Sequence, residues 1–365
     1  MEMSPPPVFI VGAPRSGTTL LAAMFGAHPL YAAGPETQFF VKISAHDLLR
    51  APQDPAWPVE ALKRIQQLHT AGQSTLDLFE TDIARVEAFL KSREPSVAAM
   101  LEALVVPFSQ ARGKPGWVEK TPNHLEKLKL IRAAFPNARI VRIVRDPRDA
   151  AASTTRLPAF SDSIVANAYL WREWFDQSER VLANDELSAT LRYEDLVAAP
   201  AQQLEALCQA IQVPYSNAML DYQSAAQDVS SKAETWKKQV SSALDPSRSF
   251  AWKKTMDADT AELIGMICHE WLERFGYEIG PEIRATRKVY NMSAGFVEEF
   301  EPVLRLDARQ GLRWLGTFDL GEAERVFDHP RYYRFGNPIK LVRLAAGRAY
   351  ARRRLRALSK HETVG

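Results

Sequence analysis

Cysteine, long apolar runs and metal-ligand spacings are all scarce in this sequence of 365 residues. The two cysteines, Cys208 and Cys268, stand in apolar helical patterns, which favours buried free thiols over a disulfide framework. The seven histidines are scattered and no Cys/His spacing recurs, so we expect no metal site. No apolar stretch reaches the length of a membrane span. The composition therefore predicts a globular protein that binds no metal.

The sequence also lacks a large excess of either charge. Lys and Arg number 46 against 44 Asp and Glu, which gives a formal net charge of +2 at pH 7. This weakly basic balance does not indicate a nucleic-acid partner, although a local anion site is compatible with it. The first residues, MEMSPPPVFIVGA, have no basic region before their short apolar run, so we expect no secretory signal and a cytoplasmic protein.

Short apolar strands alternate with helical patterns over residues 1–280. This alternation predicts an α/β fold with a central, mainly parallel sheet flanked by helices. We expect PVFIVGA, GWVEKTP, ARIVRIVRD and ATLRYEDLV to be strands, and residues 40–112 to be a mostly helical insertion or lid. Residues 281–365 are predicted to be a C-terminal extension that ends in a basic helix. That helix is either a solvated surface helix or a weak docking element for a membrane surface or a protein.

A candidate phosphate-binding loop, VGAPRSGTT, follows the first strand and opens a helix. Gly12 and Gly17 have the G-x-x-x-x-G spacing, and the amides of such a loop form an anion cradle at the helix N-terminus. In nucleoside triphosphatases a lysine would follow the second glycine. Here Thr18 takes that place and the cation comes earlier, at Arg15. The loop therefore favours one phosphate that carries a further anionic group, and an ordinary tight turn is the alternative.

A second candidate anion site lies in IVRIVRDPRDAAAST. Arg145 at the strand end supplies a forked cationic donor, and Ser153 on the following helix supplies a hydroxyl, so the two side chains suit one more phosphate. The alternative is a surface ion-pair cluster of Arg145, Asp146 and Arg148.

Together the two motifs resemble those of sulfotransferases that use 3′-phosphoadenosine 5′-phosphosulfate (PAPS). The resemblance covers residues 6 to 278 and is strongest to the branch of tyrosylprotein sulfotransferases and bacterial small-molecule sulfotransferases. It implies a fold like that of P-loop nucleotide hydrolases, PAPS as donor, 3′-phosphoadenosine 5′-phosphate (PAP) as product, and no metal. It further implies that the 5′-phosphate is held by Thr18, Thr19 and the amides of Ser16 and Gly17, the sulfonate by Arg15, and the 3′-phosphate by Arg145 and Ser153, with Tyr193 near the nucleotide.

Sulfonyl transfer requires a base for the acceptor proton and a cation for the leaving nucleotide phosphate. The resemblance gives the first role to Glu36, in PETQ, and the second to Lys120, in VEKTP. The alternative for Glu36 is that it is only a charge at a helix N-terminus. The alternative for Lys120 is that it is only a solvated loop lysine. His124 is the rival base, although other branches place their histidine two residues after the lysine, where this chain has Pro122.

The residues that complete the nucleotide site before the final helix are the hardest to identify from the sequence. Relatives complete it with a serine and a basic residue before the final helix. Ser249 and Lys253 are the candidates here, and plain surface residues are an equal alternative.

The function that these motifs imply is transfer of sulfonate from PAPS to a hydroxyl acceptor, such as a natural-product alcohol or phenol. Sulfation of peptide tyrosine is the alternative within the same chemistry. An unusual P-loop kinase is disfavoured, because the loop lysine and a clear Mg²⁺ carboxylate are missing. A non-catalytic nucleotide-binding or docking protein is the alternative from another class.

Overall fold

A computed structural model describes residues 4–157, 160, 164–229 and 244–279 of the chain. The α/β fold predicted from the alternating strand and helix patterns is confirmed. The strands, in chain order, are β1 (Val8–Gly12), β2 (Tyr31–Ala33), β3 (His69–Thr70), β4 (Gln73–Ser74), β5 (Gly116–Lys120), β6 (Arg139–Val144) and β7 (Ser188–Arg192).

Five of these strands form one parallel sheet in the order β2-β5-β1-β6-β7. All residues of β1 and β5 are buried, as expected for strands that are covered on both faces. The remaining two strands, β3 and β4, pair as a short antiparallel hairpin. The central position of β1 places the loop that follows it in the middle of the sheet edge.

Helices separate the strands of the parallel sheet along the chain and follow the last of them. The α-helices, in chain order, are α1 (Thr18–Ala27), α2 (Phe39–Lys42), α3 (Ala45–Arg50), α4 (Val59–Gln66), α5 (Thr75–Leu78), α6 (Ile83–Lys91), α7 (Val97–Ala111), α8 (Leu128–Ala134), α9 (Pro147–Thr154), α10 (Ile164–Leu182), α11 (Tyr193–Ala198), α12 (Pro200–Ala210), α13 (Trp252–Thr255), α14 (Ala258–Ile267) and α15 (His269–Arg274). Short 3-10 helices span Ala51–Gln53, Pro122–Lys127, Asn217–Ala225 and Pro246–Arg248. None of the helices in the described ranges combines the length and the apolar character needed to cross a bilayer.

The described residues form two compact units. The first comprises the chain up to Arg145 together with Asp176–Ser249, and it contains the parallel sheet. Its core packs the apolar face of α1, with Leu21 and Phe25, against β1 and its neighbouring strands. Cys208 lies in this core as a free thiol, and burial raises the pKa of Cys208 to about 11.

The second unit comprises Asp146–Phe175 and the chain from Phe250 onward. Its interior contains a run of aromatic rings, in which Trp171 stacks on Phe175 at 4.1 Å between ring centroids and Trp271 packs beside them. Cys268 is buried here, and neither cysteine forms a disulfide, so the prediction of buried thiols outside a disulfide framework is confirmed.

Local signals in the sequence account for several element boundaries. Helix α9 begins at Pro147, as predicted, because Asp146 accepts a hydrogen bond from the Arg148 N–H at 2.9 Å and caps the helix. The expected strand ATLRYEDLV is wrong in its second half, since β7 ends at Arg192 and Tyr193 starts helix α11. Two acidic residues in the first turn of α11 favour the helix there.

Residues 40–112 contain the helices from α3 to α7 and the β3–β4 hairpin. Their role as a lid stays a prediction. The proposed C-terminal extension, 281–365, and its basic helix lie outside the described residues, so the domain boundary at 280 also stays a prediction.

Candidate active site

The carboxyl ends of the parallel strands bring most of the candidate residues to one edge of the sheet. The glycine loop follows β1, Lys120 is the last residue of β5, Arg145 follows β6 and Tyr193 follows β7. Lys120 pairs in register with Ile10 of β1, two residues before the loop begins at Gly12. This edge is where ligands bind in open α/β sheets.

The loop after β1 has the backbone of a tight turn. Arg15 and Gly17 both have left-handed φ angles, of 70° and 93° respectively, and the Ser16 N–H donates to the Ala13 carbonyl at 3.2 Å. Helix α1 starts at Thr18, with no acidic residue in its first turn to neutralise the positive end of the helix dipole. Ser16 is fully buried, and its Oγ has no hydrogen-bond partner within the described ranges. The loop therefore presents a buried hydroxyl and a helix N-terminus suited to an anion.

Both loop glycines are required by close packing. A Cβ on Gly12 would lie 2.5 Å from the Ile143 carbonyl oxygen, and a Cβ on Gly17 would lie 2.5 Å from Cδ2 of the Tyr193 ring. The Tyr193 ring therefore packs directly against the loop.

Arg145 connects the loop to two other parts of the first unit. Its Nη1 donates to the Arg15 carbonyl at 3.0 Å and its Nη2 to the Arg248 carbonyl at 2.7 Å. Its guanidinium lies 4.9 Å from the centre of the Tyr193 ring. Burial raises the pKa of Tyr193, and the charge of Arg145 offsets this only in part, so the phenol is neutral at pH 7. Arg145 thus holds the backbone of the strained Arg15.

Glu36 and Lys120 form a buried ion pair. The Lys120 Nζ donates to Glu36 Oε1 at 3.0 Å, and neither residue is more than 7% exposed. The other carboxylate oxygen, Oε2, accepts a hydrogen bond from Gln38 Nε2 at 2.6 Å. Glu36 follows β2 by three residues, so the neighbouring strands β2 and β5 carry the two charges to the same place. The structure therefore brings together the two residues predicted to act as base and cation.

A second buried carboxylate, Glu119, anchors the segments on which this pair stands. Its Oε1 accepts hydrogen bonds from the hydroxyls of Thr37 and Thr121, both at 2.7 Å, and its Oε2 lies 2.8 Å from His124 Nδ1. Burial alone would raise the pKa of Glu119, but the interactions with His124, Thr121 and Thr37, hydrogen bonds among them, outweigh it and lower the pKa. Glu119 is therefore an ionised carboxylate that holds the segment after β2 against the end of β5.

His124 has both ring nitrogens engaged in the protein interior. Its Nε2 accepts the Phe40 N–H at 3.2 Å, which assigns the proton to Nδ1, where it is donated to Glu119. The residue is fully buried. These contacts give His124 a place in the network around Glu119. The role of Glu36 or His124 as the base stays a prediction.

Ser153 and Lys253 belong to the second unit. Ser153 is half-buried near the end of α9, and the exposed Lys253 is paired with Glu278. The nucleotide contacts expected of both stay predictions. Ser249 belongs to the first unit, directly after Arg248, and its buried Oγ has no partner among the residues described here.

The aspartates of the RDPRD motif have structural partners in the second unit. Asp146 pairs with Arg148 at 2.7 Å and accepts from the Trp252 indole N–H at 3.1 Å. Asp149 accepts the Trp252 backbone N–H at 2.8 Å. The pair of Asp146 and Arg148 is buried, not a surface cluster, and it packs against the Trp252 ring.

Sequence reasoning missed the residues that support the site. Thr37, Gln38, Glu119 and Thr121 contact one another or Glu36, although they come from segments more than 80 residues apart. The signal that the sequence offered was an acidic residue, Glu119, within the short strand β5, all of whose residues are buried.

The described residues contain no group of three His, Cys, Asp or Glu side chains arranged to hold a metal ion.

A parallel sheet with a glycine-rich anion loop after its central strand defines a class of proteins that bind phosphate-bearing nucleotides. Within this class, the model of the sulfotransferase family matches residues 6–217, which is more than half of the chain. The chain belongs to the sulfotransferase family.

Characterised relatives share this family with the chain at modest identity. The chain is 30% identical over 155 residues to nodulation protein NoeE of Sinorhizobium fredii, an alignment that covers 42% of this chain and 32% of that protein. It is 23% identical over 284 residues to protein-tyrosine sulfotransferase A of Caenorhabditis elegans, covering 75% of this chain and 67% of the relative. The chain thus spans about a third of the first relative and two thirds of the second.

Two solved structures have the same fold. The sulfotransferase domain from the curacin biosynthetic pathway superposes with a TM-score of 0.52 at 20% identity, covering 76% of this chain and 99% of that domain. The sulfotransferase domain of the Synechococcus PCC 7002 olefin synthase gives a TM-score of 0.53 at 21% identity, covering 77% and 98% respectively.

The packing of Gly17 against Tyr193 predicts a specific cost for Gly17→Ala. The new methyl group would overlap the ring, and we expect overpacking to lower the free energy of unfolding by roughly 1–3 kcal/mol. Gly113→Ala is the matched control, because Gly113 also has a positive φ, of 67°, but an added Cβ there meets no atom within 4 Å. Urea denaturation of both variants measures the difference. Equal stability of the two would contradict the packing described here.

The lowered pKa of Glu119 predicts how stability depends on pH. Because its folded pKa lies below the unfolded value of about 4.3, its stabilisation is complete above that value and is lost as pH falls through the folded pKa. We expect Glu119→Gln to cost roughly 3 kcal/mol at pH 7 and progressively less below about pH 4. The exposed Glu94→Gln serves as control. A cost that stays constant in denaturation series from pH 7 to pH 3 would show that the Glu119 charge does not hold the network.

Proposed function

We propose that this protein transfers a sulfonate group from PAPS to the hydroxyl group of a small molecule. The observation that carries the proposal is the buried pair of Glu36 and Lys120 at the sheet edge where the anion loop begins. The pair combines a carboxylate, which can take a proton, with a cation, which can stabilise a departing phosphate. The family to which the chain belongs supports the same chemistry.

The residues of the loop fit the 5′-phosphosulfate end of this nucleotide. The buried Ser16 hydroxyl is unsatisfied in the described structure, and the amides of Gly17, Thr18 and Thr19 stand at the start of α1. Arg15 supplies a cation within the loop, and Thr18 stands where triphosphatases have their lysine. In our proposal Ser16 to Thr19 bind the phosphate and Arg15 binds the sulfonate oxygens.

For the 3′-phosphate we propose Arg145 and Ser249 of the first unit as ligands, and the contacts expected of Ser153 and Lys253 stay predictions. Arg145 presents a guanidinium beside the neutral Tyr193 phenol, and the buried Ser249 hydroxyl follows the carbonyl that Arg145 contacts. A second phosphate site of this kind would select PAPS over nucleotides that have no 3′-phosphate.

When bound, PAPS supplies an activated sulfonate whose bond to the 5′-phosphate breaks as the acceptor oxygen bonds to sulfur. Glu36 takes the proton of the acceptor hydroxyl, so the acceptor does not have to react as a charged alkoxide. Lys120 places its charge near the phosphate that gains negative charge as PAP leaves.

The acceptor we propose is a natural-product alcohol or a phenol. Glu36 is only 7% exposed, which favours a slender acceptor over the surface of a folded protein. The relatives include a nodulation protein and protein-tyrosine sulfotransferases. A tyrosine peptide therefore belongs in the panel of acceptors to be tested.

Nucleotide selectivity follows from the proposed phosphate sites. We expect PAP without metal to raise the melting temperature and ATP with Mg²⁺ to have little effect, because ATP cannot fill the 3′-phosphate site. Differential scanning fluorimetry at matched ligand concentrations measures this. Stabilisation by ATP with Mg²⁺ alone would favour a kinase and contradict the proposal.

Transfer itself can be measured with PAPS labelled in the sulfonate group. The acceptor panel contains 2-naphthol, 1-hexanol, a chitin oligosaccharide and an acidic tyrosine peptide, with products identified by mass spectrometry. We expect the wild type to sulfate the naphthol or the hexanol. Glu36→Gln should lower kcat about 10²–10⁴-fold and Lys120→Met about 10²–10³-fold, with PAP binding retained in Glu36→Gln.

Glu94→Gln and Lys91→Met make the same two changes at exposed positions and should leave transfer unchanged. Unimpaired transfer by Glu36→Gln would remove Glu36 as the base. Binding of PAP without transfer to any member of the panel would instead support a non-catalytic nucleotide-binding protein.

A further inference from the structure

We propose that Gln38 is a positioning residue that holds Glu36 ionised and oriented for proton transfer. The inference rests on the proposed function, because it assigns to Glu36 the role of general base. Its basis is a side-chain contact, a strained backbone and a buried supporting network, all within the first unit.

The contact fixes the carboxylate from its second side. Gln38 Nε2 lies 2.6 Å from Glu36 Oε2, and Lys120 Nζ lies 3.0 Å from Oε1. Two donors on different oxygens define the plane of the carboxylate, which a single ion pair does not. A hydrogen bond to the charged form also favours that form over the protonated acid. Gln38 therefore helps to keep Glu36 ready to accept a proton.

The backbone of Gln38 is in an unfavourable conformation. Its φ angle is 55°, in the left-handed region that glycine adopts far more readily than glutamine. Gln38 also precedes helix α2 as its N-cap, but its side chain makes no capping hydrogen bond. Strain of this kind persists only where the surrounding structure enforces it, and it concentrates at functional sites. The Gln38 side chain therefore donates its hydrogen bond to Glu36 and does not cap helix α2.

The supporting structure is the Glu119 network. Thr37, the residue before Gln38, donates its hydroxyl to Glu119, and the Gln38 N–H donates to Thr121 Oγ1 at 3.3 Å. Thr121 is itself bound to Glu119. The buried carboxylate thus anchors the backbone at Thr37 and at the N–H of the strained residue itself.

Three substitutions of Gln38 distinguish a positioning role from a purely structural one. Gln38→Met keeps the length of the side chain but cannot donate, Gln38→Gly relieves the left-handed φ and removes the amide, and Gln38→Glu places a second carboxylate beside Glu36. Gln212→Met is the matched control, because Gln212 has the same φ angle of 55° and is exposed. The assay is sulfonate transfer to the fastest acceptor of the panel above, over a range of pH.

We expect Gln38→Met to lower kcat about 10- to 100-fold with KM for PAPS little changed, as for other groups that orient a reacting ligand. The acidic limb of its pH–rate profile should move to higher pH by about one unit, because loss of the donor favours the protonated acid. Gln38→Gly should show the same kinetic loss while its Tm stays equal to that of the wild type or rises by about 2–4 °C. Gln38→Glu should move the acidic limb furthest, and Gln212→Met should match the wild type.

Other outcomes would overturn the inference. Wild-type kinetics in Gln38→Met, or a slower rate with an unmoved pH profile, would show that the amide does not act on Glu36. Loss of rate in Gln38→Met with full activity in Gln38→Gly would mean that only backbone strain matters. If Glu36→Gln is inactive in these cases, the inference alone fails, whereas full activity of Glu36→Gln would overturn the proposed base itself.

Discussion

The ion pair between Glu36 and Lys120 is the constraint on which the rest of the site depends. Removing either charge would leave the other buried without its ionic partner, which proteins tolerate poorly. The pair can form only because β2 and β5 are neighbours in the sheet and run parallel, so that both charges reach the same edge. The hydrogen bonds of Gln38 and the Glu119 network then hold the segment that carries Glu36. A carboxylate and a cation are in this way fixed next to each other, and in the proposed function this would supply the preorganisation that group transfer requires.

The glycine loop is constrained by close packing against its neighbours. Its backbone passes so close to β6 and to the Tyr193 ring that two positions accept only glycine. Arg145 secures the loop through the Arg15 carbonyl, so the residue that we propose for the 3′-phosphate also supports the residue that we propose for the sulfonate. In the proposed site, this one side chain would couple donor binding to the geometry of the loop.

The sequence predicted those features that depend on short-range patterns. Strand and helix alternation predicted the sheet, the glycine spacing predicted the loop, and Asp146–Pro147 predicted the start of α9. The network around Glu119 could not be predicted, because it depends on β2, a strand of only three residues with no periodic signal of its own. Its hydrogen bonds join residues 82 to 84 positions apart, and only the strand order brings them together. For the same reason the two interior partners of His124, Glu119 and the Phe40 N–H, could not be predicted from the sequence.

The central claim is that the sheet edge combines a phosphosulfate loop with a base and a cation. A crystal structure of the protein with PAP tests it most directly. The account predicts the 5′-phosphate on the amides of Ser16 to Thr19, with Lys120 Nζ within hydrogen-bond distance of it and Glu36 facing the same cavity. A 5′-phosphate bound away from this loop, or one that Lys120 cannot reach, would contradict the account.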